Sequence, residues 1–269
     1  MDWNDAYSNA AYIEGADDFP PLWREKADAF RTGMLAKGRA ALDIAYGTGE
    51  RQQYDAFFPA GQPQGLALII HGGYWLRFDK DVFSHLAAGA VARGWVVVMP
   101  RYPLCPQVSI GEITKSVEQA LTHAAQKIDG PIQLAGHSAG GHLVTRMVCE
   151  DIALPDSVAH RIGRVLTISG VHDLRPLIRT EMNADFMLDA GAASAESPGL
   201  LMPRPGTDLI AWVGADERPE FLRQTRLIAL NWQSFDVETR LVEEPEKHHF
   251  DVIDSLEQPD SDMMRAWLD

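Results

Sequence analysis

From about residue 40 onward the chain alternates short apolar or β-branched runs with longer stretches whose apolar positions recur at helical spacing. The runs 41–46, 53–58, 66–70, 95–99, 132–135, 165–169, 209–213 and 237–242 predict strands. The stretches 81–93, 110–127, 139–149, 219–232 and 250–256 predict helices. In the second of these, Ile113, Val117, Ala120, Leu121 and Ala124 fall on one face. Leu66-Ala67-Leu68-Ile69-Ile70 and Trp95-Val96-Val97-Val98-Met99 are apolar throughout, the pattern of strands covered on both faces. Strand–helix alternation from the third strand onward therefore predicts an α/β fold, a mostly parallel eight-stranded sheet with helices on both faces. The first two strands, joined by Gly47-Thr48-Gly49, predict an antiparallel hairpin at its edge.

Two regions break the alternation. Residues 1–38 read as helical, with aromatic anchors at Trp3, Tyr7, Tyr12, Trp23 and Phe30. Residues 171–206 carry Pro, Gly, Ala and Met without a strand pattern. A connection that long inside a compact domain usually serves function, and it reads as a small cap or lid insertion. No internal repeat, low-complexity tract or linker interrupts the 269 residues, which predicts a single domain.

Charge and cysteine content narrow the function. The formal net charge of −14 repels phosphate backbones and anionic lipid, so neither nucleic acid nor membrane is an expected partner. A small-molecule substrate is expected, and a homodimer stays open. Cys105 and Cys149 belong to no CxxC or Cys/His cluster, so they read as buried free thiols and no metal site is expected. The acidic start Met1-Asp2-Trp3-Asn4-Asp5 is no signal peptide, and no apolar run approaches the ~18 residues of a membrane span. The expected compartment is the cytoplasm.

The chemistry concentrates in four segments. Gly136-His137-Ser138-Ala139-Gly140 matches G-x-S-x-G, entered from an apolar strand and left through a helical pattern. A serine on such a sharp strand-to-helix turn needs neighbours nearly free of side chain, and the turn lifts Oγ above the sheet edge as a nucleophile. The N–H of Ala139 then points at the same space from a helix N-terminus. Leu68-Ile69-Ile70-His71-Gly72-Gly73-Tyr74-Trp75 ends a central strand with His-Gly-Gly, where Gly73 and Tyr74 can aim backbone N–H groups at an oxyanion. His71 reads as orienting that loop, and Trp75 as a wall for a flat acyl group.

The strand at 209–213 leads into Gly214-Ala215-Asp216-Glu217, where two adjacent carboxylates compete. The spacing Gly-x-x-acid selects Glu217; the commoner chemistry selects Asp216. Glu246-Lys247-His248-His249-Phe250 offers two bases, and His249, directly before the apolar Phe250, fits a catalytic loop that closes on the core. The chain order Ser138, acid, His249 is that of α/β-hydrolases.

Together these residues resemble the kynurenine formamidase (arylformamidase) branch of the α/β-hydrolases, near esterases of the hormone-sensitive-lipase type. The matching stretches include Leu42-Asp43-Ile44-Ala45-Tyr46-Gly47, His71-Gly72-Gly73-Tyr74-Trp75, Tyr102-Pro103-Leu104-Cys105-Pro106, Gly136 to Leu143, Gly170-Val171-His172-Asp173-Leu174, Pro219-Glu220-Phe221 and His249-Phe250-Asp251. The resemblance implies an α/β-hydrolase fold, Glu217 as acid, His249 as base, no metal and no organic cofactor. It also implies hydrolysis of a small carboxylic ester or aryl formamide through an acyl-enzyme. Glu217 stands where relatives often carry Asp, and Pro103 replaces an Arg that often follows the Tyr. Arg175 and Arg179, in the 171–206 segment, are candidates to pair with a substrate carboxylate. A general short-chain carboxylesterase or thioesterase, and more distantly a non-catalytic ligand-binding module on the same fold, are the alternatives.

Overall fold

The protein is described here by a computed structural model covering residues 1–269. Its strands are β1 (Ala40–Ala45), β2 (Gln53–Phe57), β3 (Leu66–Ile70), β4 (Val96–Arg101), β5 (Ile132–His137), β6 (Ile162–Ile168), β7 (Thr207–Gly214) and β8 (Val237–Glu244). They form one sheet in the order β1-β2-β4-β3-β5-β6-β7-β8. The β1–β2 and β2–β4 pairs are antiparallel and the remaining five are parallel, as the sequence predicted.

Every residue of β3 is buried because both faces are covered. Leu66, Leu68 and Ile70 join a cluster of 42 buried residues, while Ala67 and Ile69 join a second cluster of 25 on the other face. The first cluster takes in the helix Ile110–Ala125, whose buried stripe contains Ile113, Val117, Ala120, Leu121 and Ala124. A capping box at Ser109 and Glu112 starts that helix by pairing two backbone donors that would otherwise be orphaned. The helix Pro219–Trp232 has the predicted bounds and packs on β7 and β8.

The predicted helix 81–93 differs. Residues Lys80–Ala87 wind as a 3₁₀ helix, and only Ala88–Ala92 is α-helical. All but one of the 3₁₀ residues are buried. Packing against the helix Phe19–Ala36 on one side and Val252–Glu257 on the other sets the winding, rather than propensity. The 250–256 stretch is likewise 3₁₀, over Val252–Glu257.

The N-terminal region is helical only in part. Trp3–Ala6 is one turn of helix, two 3₁₀ turns follow, and Phe19–Ala36 is the long helix. Tyr7 and Trp23 are buried anchors as expected, but Tyr12 is exposed, with the Arg218 guanidinium 3.6 Å from its ring centre. Residues 171–206 form a chain of short helical turns between β6 and β7. No helix is long and apolar enough to cross a membrane. Cys105 and Cys149 are free and buried, and burial pushes their thiols up to about 11 and about 12.

Candidate active site

β5 feeds directly into the helix Ala139–Arg146 with only Ser138 between them. Ser138 has φ 55° and ψ −116°, a strained positive-φ geometry that L-residues rarely adopt. The flanking glycines follow from space. A Cβ on Gly136 would lie 2.2 Å from the Gly140 carbonyl oxygen, and one on Gly140 would lie 2.1 Å from that of Ile70. Neither position can carry a side chain while the turn stays this tight.

At the end of β3, Gly73 (φ 117°), Tyr74 (φ 52°) and Trp75 (φ 56°) reverse the chain, and the Gly73 carbonyl accepts the N–H groups of Leu76 and Arg77. The N–H groups of Gly73, Tyr74 and Ala139 have no backbone acceptor, so all three donors remain free. His71 orients this loop: its Nδ1 lies 2.7 Å from the Gly72 carbonyl, its own carbonyl accepts the Tyr102 hydroxyl, and its ring stacks between Tyr102 and Phe83. Burial holds the ring neutral by lowering its pKa to about 4.

The structure brings together the acid and the base that spacing and resemblance favour. His249 Nδ1 lies 2.7 Å from Glu217 Oε2, while Asp216, one residue away, is exposed. Glu217 itself is held by two further donors at Oε1, the Gly214 N–H at 3.0 Å and the Ser169 hydroxyl. A carboxylate can only accept, so Nδ1 of His249 carries the hydrogen and Nε2 is left as an acceptor. His248 serves the loop instead, its Nδ1 accepting the backbone N–H groups of Phe250 and Asp251.

Sequence reasoning did not single out His137. Its Nε2 lies 3.0 Å from the His249 carbonyl, and the two rings sit 4.6 Å apart. Burial, and then the neighbouring His249, lower its pKa well below the ordinary value. A neutral His137 donating from Nε2 ties the base loop to the serine turn. Its adjacency to Ser138 was the only available signal, and that is not specific.

Ser138, His137, His249, Gly72, Gly73 and Tyr74 line one cavity of about 350 Å³. Asn4, Tyr7, Asn9 and Trp23 from the N-terminal region, with Glu181 and Met182 from the 171–206 segment, complete its walls. The N-terminal wall is anchored: Tyr74 donates its hydroxyl to the Tyr7 carbonyl, Tyr7 donates its own to Glu220, and Asn4 accepts the Glu181 N–H.

Three expectations are corrected. Trp75 is not a cavity wall; it is fully buried in the core, edge-on to His142 and Phe186. With φ 56°, the turn sends its side chain inward, where a large apolar ring gains more from burial than from exposure. Arg175 pairs with Asp173, and neither it nor Arg179 lines the cavity. The arginine that does is Arg77, exposed and four residues after Gly73.

Residues 67–268 match the alpha/beta hydrolase family, and the chain belongs to it. The chain is similar to a kynurenine formamidase of Danio rerio, 28% identical over 80% of this chain and 76% of that one. It is likewise similar to a kynurenine formamidase of Salmo salar, 28% identical over 84% and 80%. A crystal structure from Silicibacter sp. TM1040, of a protein provisionally named a thioesterase, is 49% identical over the whole of both chains, with TM-score 0.95. Esterase B of Lactobacillus rhamnosis shares the fold at 16% identity and TM-score 0.66.

Proposed function

We propose that the protein hydrolyses a small aryl formamide or carboxylic ester through an acyl-enzyme. The observation that carries this reading is the Glu217–His249 pair at 2.7 Å, opening on the same cavity as a strained Ser138. Ser138 Oγ attacks the carbonyl carbon while Nε2 of His249 takes its proton, and Glu217 stabilises the imidazolium. The oxygen that becomes negative is held by the free N–H groups of Gly73, Tyr74 and Ala139, each typically worth ~10²–10³ in rate. His249 returns the proton to the leaving atom as that bond breaks. Water then attacks the acyl carbon, giving its proton to His249, which passes it to Ser138 Oγ as the acyl–serine bond breaks and the acid leaves. The 171–206 segment and the N-terminal region act together as the cover of the site, and Arg77 is the cation available to an acidic substituent on the substrate.

The formamide side of this reading draws on the kynurenine formamidases at 28% identity. A short-chain ester or thioester substrate is the second reading, favoured by the 49% identical protein named a thioesterase. Turnover of N-formylkynurenine, short-chain p-nitrophenyl esters and acyl thioesters by wild type and Ser138→Ala separates them. We expect the variant to fold and to lose turnover by at least ~10³-fold. Full activity in the variant removes the nucleophile assignment.

A further inference from the structure

Asn9 is 7% exposed, and neither Oδ1 nor Nδ2 of its side chain has a hydrogen-bond partner. A buried carboxamide with nothing to bind weakens folding, so its retention asks for an occupant. Its place suggests which one. Asn9 borders the cavity that holds Ser138 and His249, and also a second cavity of about 220 Å³ lined by His249 and Glu217. His249 lines both, so Asn9 borders the His249 side of the site, and His249 is the group that hands the proton to the departing atom. Its backbone is held as well: its carbonyl accepts the Tyr12 N–H at 3.0 Å, and Tyr7, two residues before it, is locked by Tyr74 and Glu220.

We propose that Asn9 is a specificity-determining residue that recognises the leaving-group nitrogen of a scissile amide. This rests on the acyl-enzyme reading above. As the C–N bond breaks, the nitrogen lone pair must face Nε2 of His249 to receive the proton taken from Ser138. The nitrogen's own N–H then points elsewhere, and Asn9 Oδ1 accepts it. An ester has oxygen at that position and no hydrogen to offer, so Asn9 favours amides over the matching esters. A site built to bond an N–H discriminates strongly against the analogue that lacks it.

The test compares kcat/KM for formanilide and phenyl formate, which differ only at that atom, in wild type, Asn9→Ala and Asn9→Leu. Leucine replaces the unpaired amide with an apolar group of similar shape, so this variant keeps its thermal stability. The expected result is a fall of about 10- to 100-fold for formanilide with phenyl formate changed less than about 3-fold. Equal losses on both substrates, or no loss on formanilide, overturn the proposal and leave the serine mechanism standing. A wild-type protein that cleaves neither substrate overturns both.

Discussion

At the residue scale, the candidate site shows how one atom's environment assigns a role that residue type leaves open. Asp216 and Glu217 are adjacent carboxylates, yet only Glu217 is buried with donors on both oxygens. Glu217→Gln replaces a charge beside the imidazolium with a neutral group that can also donate, disturbing the tautomer. We expect kcat to fall by about 10²–10⁴ with little loss of stability, while Asp216→Asn stays within a few-fold of wild type. Steady-state kinetics on both variants checks this, and an equally damaged Asp216→Asn would reverse the assignment. The pair His248 and His249 divides labour in the same way, one holding the turn and the other reaching the cavity.

At the scale of elements, the long N-terminal helix Phe19–Ala36 is fastened to the sheet by buried charge as well as by Trp23 and Met34. Lys80, 1% exposed, lies 2.8 Å from Asp43, 3.0 Å from Asp55 and 3.0 Å from Asp81. Arg31 from the helix adds a second cation to the fully buried Asp55. Asp43 reaches this cluster because β1 shifts register between Ala41 and Ile44, with Asp43 at φ 55°. Lys80→Met leaves Asp55 with one cation where it had two, beside the Asp43 N–H that it accepts at 2.9 Å. Breaking a buried pair from one side typically costs about 3–5 kcal/mol, and urea unfolding should show a loss near the lower figure because Arg31 remains. A loss below about 1 kcal/mol would mean that Arg31 and the Asp43 N–H satisfy Asp55 without Lys80.

At the scale of the whole molecule, five buried histidines share a bias. Burial lowers the pKa of His71 and His85 to about 4 and of His142 and His172 to about 3, and it holds that of His137 well below the ordinary value. These rings are neutral in the folded protein but take up protons in the unfolded chain below about pH 6.5. Their contribution is therefore complete above that pH and is lost as pH falls from 6.5 through 4 and below. Each weakens folding by roughly 1 kcal/mol per pH unit over that window. Thermal unfolding between pH 8 and pH 5 should show a level Tm down to about 6.5 and a steep fall beneath it. A level Tm down to pH 5 would show that these rings ionise without penalty.

Apolar periodicity and turn residues were enough to read the sheet, most helices and the segments that meet at the cavity. Apolar periodicity records which faces are covered, as in β3 and the helix Ile110–Ala125, and a turn such as that at Ser138 admits few residues beside it. Local sterics and burial leave their mark on local sequence, so these features were legible. Spacing and resemblance already pointed to Glu217 and His249, and folding brings the two within 2.7 Å; tertiary structure alone put Trp75 in the core and Arg77, in place of Arg175 and Arg179, at the cavity. The same holds for the N-terminal wall, where Tyr7 and Asn9 stand more than 120 residues before Ser138. Such choices depend on which chain segments meet in space. Pairing distances and solvent exclusion set them, and neither is written in the spacing of residues along one strand or helix.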